Sequence, residues 1–188
     1  YAAFDWEPPV WVHVPNITDE TGKKLSKRSG TSINFTDYIK QGYLPEAMLN
    51  FLATMGWSSG EDKKLYSREE LVEKFTLDGI VNHSAVFDLP KLNDLNGEYI
   101  RMLSVDELAL MLLPRLQVAG YIGAEPSAED MDYLKKITAL VQERLVKLED
   151  APEAVSFFYC DNFDYDEKGA KKHLAKDTSP ALLKAVSD

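Results

Sequence analysis

The stretch SAEDMDYLKKITALVQERLVKL, residues 127–148, decides the fold class. Met131, Leu134, Ile137, Val141, Leu145 and Leu148 recur at helical spacing and form one apolar stripe. Ser127 stands before it as a cap. Glu129, Asp130 and Asp132 open the segment, and Arg144 and Lys147 lie near its end, as a helix dipole favours. The same grammar extends outward. Ser104 with Glu107 reads as a capping box ahead of Leu108, Met111, Leu112 and Leu116, and Ser67 with Glu70 as another ahead of Leu71, Val72 and Phe75. Pro45 opens a helix carrying Met48, Phe51, Leu52 and Met55 to Gly56, and Thr36 is expected to cap a short helix ending near Gly42. Short helices are expected from Glu153 to Phe158, Glu167 to Ala175 and Pro180 to Val186. Past Tyr66 no alternating stretch reads as a strand pair. The expectation is a mainly α chain.

Composition narrows the function classes. The 188 residues hold 31 Asp+Glu against 21 Lys+Arg, a net charge of -10, and 45% are hydrophobic, enough for one or two compact cores. No run approaches the roughly 20 apolar residues that span a bilayer. Cys160 is the single cysteine, which excludes an internal disulfide and a thiolate-rich metal site and suggests a cytosolic setting. His13, His83 and His173 lack metal-ligand spacing. The acidic balance argues against indiscriminate nucleic-acid binding. It leaves room for a selective RNA binder whose cations share one face.

One segment reverses the sign. TGKKLSKRSG, residues 21–30, places Lys23, Lys24, Lys27 and Arg28 with Ser26 between two glycines. Such a loop can close over a polyphosphate, although lysine clusters on loops commonly serve only solubility.

Lys24-Leu25-Ser26-Lys27-Arg28 resembles the KMSKS-type signature of class I aminoacyl-tRNA synthetases, in the KLSKR form of glutamyl-tRNA synthetases. Val10 to Pro15 is similar to the strand preceding that signature, and Gln41 to Ala53 to the helical segment after it. Gly56-Trp57-Ser58, Ala85 to Asp88 and Leu95 to Arg101 follow in family order. Tyr165 to Lys168 and Lys171 to Leu174 resemble bacterial members. Ser29 departs from the histidine or aspartate that many relatives carry there. The helical tail separates the bacterial type from relatives whose anticodon-binding domains are β-barrels, and from truncated paralogues that lack the domain.

The resemblance implies the end of a Rossmann-type catalytic domain at 1–35, a stem-contact region at 36–102 and a helical anticodon-binding domain at 103–188, truncated. It implies that Lys27 contacts the ATP phosphates most directly, with Lys24 and Arg28 supporting and Ser26 hydrogen-bonding nearby. ATP, with Mg2+ in the parent enzyme, L-glutamate and tRNA(Glu) are the implied ligands. No metal ligands are expected in this stretch, and a cytoplasmic monomer with no membrane contact is expected. For tRNA the implied contacts are Asn96, Tyr99 and Arg101 at the stem-contact region and Arg144 facing the third anticodon base; simple packing of Tyr99 and Ile100, and for Arg144 a helix-dipole role or a pair with Glu143 or Asp150, compete with these. The family's His-x-Gly-His segment is absent, so the chain is expected to be an inactive C-terminal piece of a longer ligase. The rival readings are a non-catalytic helical tRNA-binding module of the same descent and a helical scaffold with no RNA role.

Overall fold

The computed structural model describes residues 1–25, 34–160, 167–175, 179–180 and 184–185. Two compact units divide the chain, Tyr1–Ala154 and Val155–Asp188.

In the first unit, helix starts follow the local hydrogen-bonding chemistry. Helix α1 (Phe35–Gln41) is capped by Asn34, whose Oδ1 accepts the Thr36 N–H at 3.3 Å. The cap thus lies two residues before the expected Thr36, because the asparagine side chain reaches the free amides of the first turn. Gly42 ends α1 in a left-handed conformation, φ 84°. Helix α2 (Pro45–Gly56) starts on a proline, as the preset φ allows. Complete capping boxes start α3 (Arg68–Lys74) at Ser67 and Glu70, α5 (Val105–Val118) at Ser104 and Glu107, and α6 (Ala128–Val141) at Ser127 and Asp130. Asp88 caps α4 (Leu89–Met102) by accepting the Lys91 N–H.

Packing then follows the apolar stripes. Helix α2 lies on α4, burying Ala47, Met48 and Phe51 on one side and Leu92, Leu95 and Ile100 on the other. Helix α5 lies on α6 with Leu108, Leu112 and Leu116 buried against the side bearing Leu134, Ile137 and Val141. Each of these side chains other than Ala47 contributes about 1.5 to 3 kcal/mol of burial. A satellite cluster of Trp57, Tyr66 and Leu71 closes with Ala53 and Ile80.

Two more expectations need correction. The long helix stops at Val141. A 3-10 turn, Gln142–Arg144, follows, and then an extended Leu145, although Leu145 and Leu148 are buried as the stripe foretold. The backbone leaves the helix because residues 142–148 bond to α4 and to Gly42, a tertiary demand stronger than local propensity. The sheet is one short parallel pair, β1 (Ile17–Thr18) before Tyr66 and β2 (Ala85–Val86) after it, with Ile17 opposite Ala85 and Thr18 opposite Val86. Two residues per strand are too few for alternation to register. Residues 10–15, in contrast, form no strand, and Val10, Trp11 and Val14 are exposed. A strand needs a ladder partner, and none of the described residues supplies one there.

In the second unit the described elements are the end of α7 (Ala151–Tyr159) and α8 (Glu167–Gly169), which continues into a π turn at Ala170–Leu174.

Candidate functional site

The base of the basic loop is built around one carboxylate. Asp19 Oδ1 accepts the Thr21 hydroxyl at 2.6 Å, the Thr21 N–H at 2.9 Å and the Lys23 N–H at 2.9 Å. The Asp19 N–H donates to the Lys23 carbonyl at 2.8 Å, and Gly22 turns the chain at φ 81°. The Thr21 hydroxyl bond, helped by the backbone amides and the Lys23 charge, holds the Asp19 carboxyl below its ordinary pKa. Lys24, exposed, bridges back to Thr18, and Leu25 N–H donates to the Ile17 carbonyl at 3.1 Å. The pairing of β1 with β2 ties this base to the helices, because Phe87 beyond β2 packs edge-on against Phe51 at 5.1 Å and near Tyr38. Lys24 is therefore placed on an anchored turn. Ser26, Lys27 and Arg28 lie outside the described residues, and the chain re-enters at the Asn34 cap of α1.

A second feature is an open cleft of about 790 Å³ between α2, the Lys63–Leu65 loop and α4. Lys63, Lys64, Lys91 and Arg101 line it, together with Asp94 and Glu98. Two of the cations are engaged. Lys63 pairs with Glu70, and Arg101 Nη2 meets Glu98 Oε1 at 3.0 Å. Lys64 and Lys91 have no ion-pair partner among the described residues, so their charge is available to an anion. Sequence reasoning singled out neither; the signal was their position beside a capped helix start and a loop across from it.

The three residues proposed from the α4 sequence part company. Asn96 is fully buried, its Oδ1 accepting the Leu44 N–H at 2.8 Å and its Nδ2 donating to the Val146 carbonyl at 2.6 Å. Tyr99 is 7% exposed, its hydroxyl donating to the Tyr66 carbonyl at 2.6 Å. Both are buried and bonded to backbone, the packing role that competes with RNA contact. Arg101 alone faces the cleft, and its Nη1 also approaches the Glu143 carbonyl at 3.5 Å. That contact sets it beside Arg144, the next residue along. Arg144 ends the 3-10 turn, exposed and without an ion pair among the described residues; Asp150, one of its expected partners, faces Lys147 instead. The turn itself is held by Gln142, whose Nε2 donates to the Leu103 carbonyl at 2.8 Å and the Ile100 carbonyl at 2.9 Å. Its sequence position gave no hint of that role.

Known proteins align with these features. The family profile for tRNA synthetases class I (E and Q), catalytic domain, matches residues 1–94, and that for an anticodon binding domain matches residues 107–188. A glutamate–tRNA ligase of Herpetosiphon aurantiacus is 45% identical over 166 residues, 88% of this chain and 33% of its own length. One of Desulforamulus reducens is 37% identical over 188 residues, 100% of this chain and 39% of its own. The crystal structure of a glutamate-tRNA synthetase from Elizabethkingia anophelis superposes with a TM-score of 0.79 at 30% identity, covering 100% of this chain and 40% of that one. The chain thus spans a third to two fifths of the length of these relatives.

Proposed function

The chain belongs to the class I tRNA synthetases of the E and Q group, and from that premise we propose that it works as part of a glutamate–tRNA ligase, supplying the phosphate-binding loop and a tRNA-binding surface. The observation that carries the reading is the anchored turn at Asp19–Lys24, which fixes Lys24, the first residue of the KLSKR segment, on a hydrogen-bonded base. Activation of glutamate by ATP passes through a pentacoordinate phosphate with charge building toward pyrophosphate, and cations fixed beforehand at that charge lower the barrier. Two unit charges about 4 Å apart interact by roughly 1 kcal/mol in water and roughly 4 kcal/mol at an effective dielectric near 20, so exclusion of water multiplies the effect of Lys27. Lys24 and Arg28 support it and Ser26 bonds nearby; Mg2+ arrives with the nucleotide.

On the RNA side, the cleft cations and Arg101 take phosphates of tRNA(Glu), and Arg144 reads the third anticodon base. Arginine suits that task because its planar fork can bond a splayed base edge and stack on it. The closeness of Arg101 to Arg144 implies that both act on the same arm of the tRNA. In this reading the catalytic end occupies 1–35, the stem-contact region 36–102 and the anticodon-binding region 103–188, and the parent enzyme is a cytoplasmic monomer. The intact KLSKR segment favours this over a non-catalytic module.

The decisive experiment is Lys27→Ala in a full-length ligase containing this stretch. ATP–pyrophosphate exchange should fall by about 100-fold or more, the range for removing one transition-state donor, with melting temperature unchanged. Exchange at the parent rate would overturn the assignment.

A further inference from the structure

We infer that Gln142 is a positioning residue for RNA recognition: it fixes the turn that carries Arg144 to the end of α4 that carries Arg101. The inference rests on the reading of Arg144 as a base-contacting residue. A 3-10 turn of three residues has poor internal hydrogen bonding and does not hold its own orientation. Selective contact with a base edge nevertheless demands that the guanidinium be held to within about half an ångström. The stiffness has to come from outside the turn.

Here it comes from carbonyls at the C-terminal end of α4, where the helix's own hydrogen bonding runs out. The Gln142 Nε2 donates to the Ile100 and Leu103 carbonyls at 2.9 and 2.8 Å, and Arg101 reaches the Glu143 carbonyl from the same helix end. Three residues beyond Glu143, Asn96 holds the Val146 carbonyl. Each of Gln142, Glu143 and Val146 is therefore bonded to α4, through side chain or backbone. Arg144, between them, is exposed, and its side chain has no hydrogen bond or ion pair among the described residues. An immobilised backbone under a free guanidinium is what recognition needs. A surface turn serving only stability gains nothing from leaving that one side chain unengaged. The Gln142 amide donors are spent on the Ile100 and Leu103 carbonyls, so its influence on recognition passes through Arg144.

The test uses the full-length ligase and two tRNA(Glu) transcripts differing at the third anticodon base. The readout is the ratio of their dissociation constants, which is insensitive to the fraction of protein that is folded. Gln142→Met keeps the length of the side chain and removes its donors. If Arg144→Ala flattens the ratio by about tenfold, Gln142→Met should flatten it by a comparable factor. The double variant should then match Arg144→Ala alone, since a residue acting through another adds nothing once that other is gone. Binding through the phosphates, read as the slope of log affinity against log salt, should stay as in the parent. A Gln142→Met enzyme with the parent ratio, or one whose loss multiplies with that of Arg144→Ala, would overturn the inference while leaving the base-reading role of Arg144 standing. An unchanged ratio in Arg144→Ala would remove that role and this inference together.

Discussion

The Leu148 N–H donates to the Gly42 carbonyl at 3.2 Å, and a Cβ built on Gly42 would lie 2.6 Å from the Cβ of Leu148. No side chain fits between them, and Gly42 also holds a φ of 84°. Gly42→Ala should therefore destabilise by about 2 to 4 kcal/mol, combining the left-handed backbone cost with overpacking. Urea unfolding measures it, and a loss under about 0.5 kcal/mol would mean that the joint opens at no cost.

Asn96 answers two buried backbone groups at once, the Leu44 N–H and the Val146 carbonyl. Asn96→Ala leaves both without partners and should cost about 2 to 5 kcal/mol, whereas Tyr99→Phe, which orphans only the Tyr66 carbonyl, should cost about 1 to 3 kcal/mol. tRNA affinity per folded molecule should not change in Tyr99→Phe. A drop in that affinity at unchanged stability would restore Tyr99 to the RNA surface.

Arg101→Ala has a different signature. Its pair with Glu98 is partly exposed and contributes at most about 1 kcal/mol to stability. Loss of a phosphate contact should instead weaken every tRNA by a similar factor and reduce the salt slope of binding by about one. A filter-binding series across salt concentrations reads this directly. An unchanged slope would assign Arg101 to structure alone.

Acid should unfold the chain through its helix caps. The Lys63 ammonium and the Ser67 amide hold the Glu70 carboxyl below its ordinary 4.5, the Ser104 hydroxyl does the same for Glu107, and the Ser127 amide lowers Asp130 from its ordinary 3.8. Groups with depressed folded pKa values contribute stability above the unfolded values. That contribution disappears as pH falls below about 4.5 and through the lowered ones. Melting temperature should decline over that range, and Glu107→Gln should make the acid limb shallower. An identical limb in the variant would exclude a role for this cap.

Much of the helical frame was legible because caps and stripes are local signals: Ser67, Ser104 and Ser127 each start a helix where the sequence places it. The burial of Asn96 and Tyr99 was legible too, in their spacing rather than in their residue type. Leu92, Asn96, Tyr99 and Ile100 fall on one helical face, and that face is the buried one. What local patterns do not carry is a demand made from elsewhere in the chain. The break after Val141 answers the carbonyls at the end of α4, and nothing within residues 127–148 announces them. The cations Lys27 and Arg28, the most legible part of the candidate site, lie outside the described residues.

The parallel pairing of β1 with β2 has a kinetic consequence. Thr18 and Ala85 are separated by 67 positions, and closing a loop of that size costs about 4 kcal/mol of chain entropy before any constant term. Two residue pairs, at about 1 kcal/mol for each hydrogen bond, do not recover that cost unaided. The pairing can form only after α2 and α4 have docked and brought its ends together, so it is late to assemble and early to open. The Phe87 amide, bonded to the Thr18 carbonyl, should exchange its proton ahead of the Met48 amide inside α2. The turn that carries Lys24 can therefore detach from its footing while the helices beneath it stay folded.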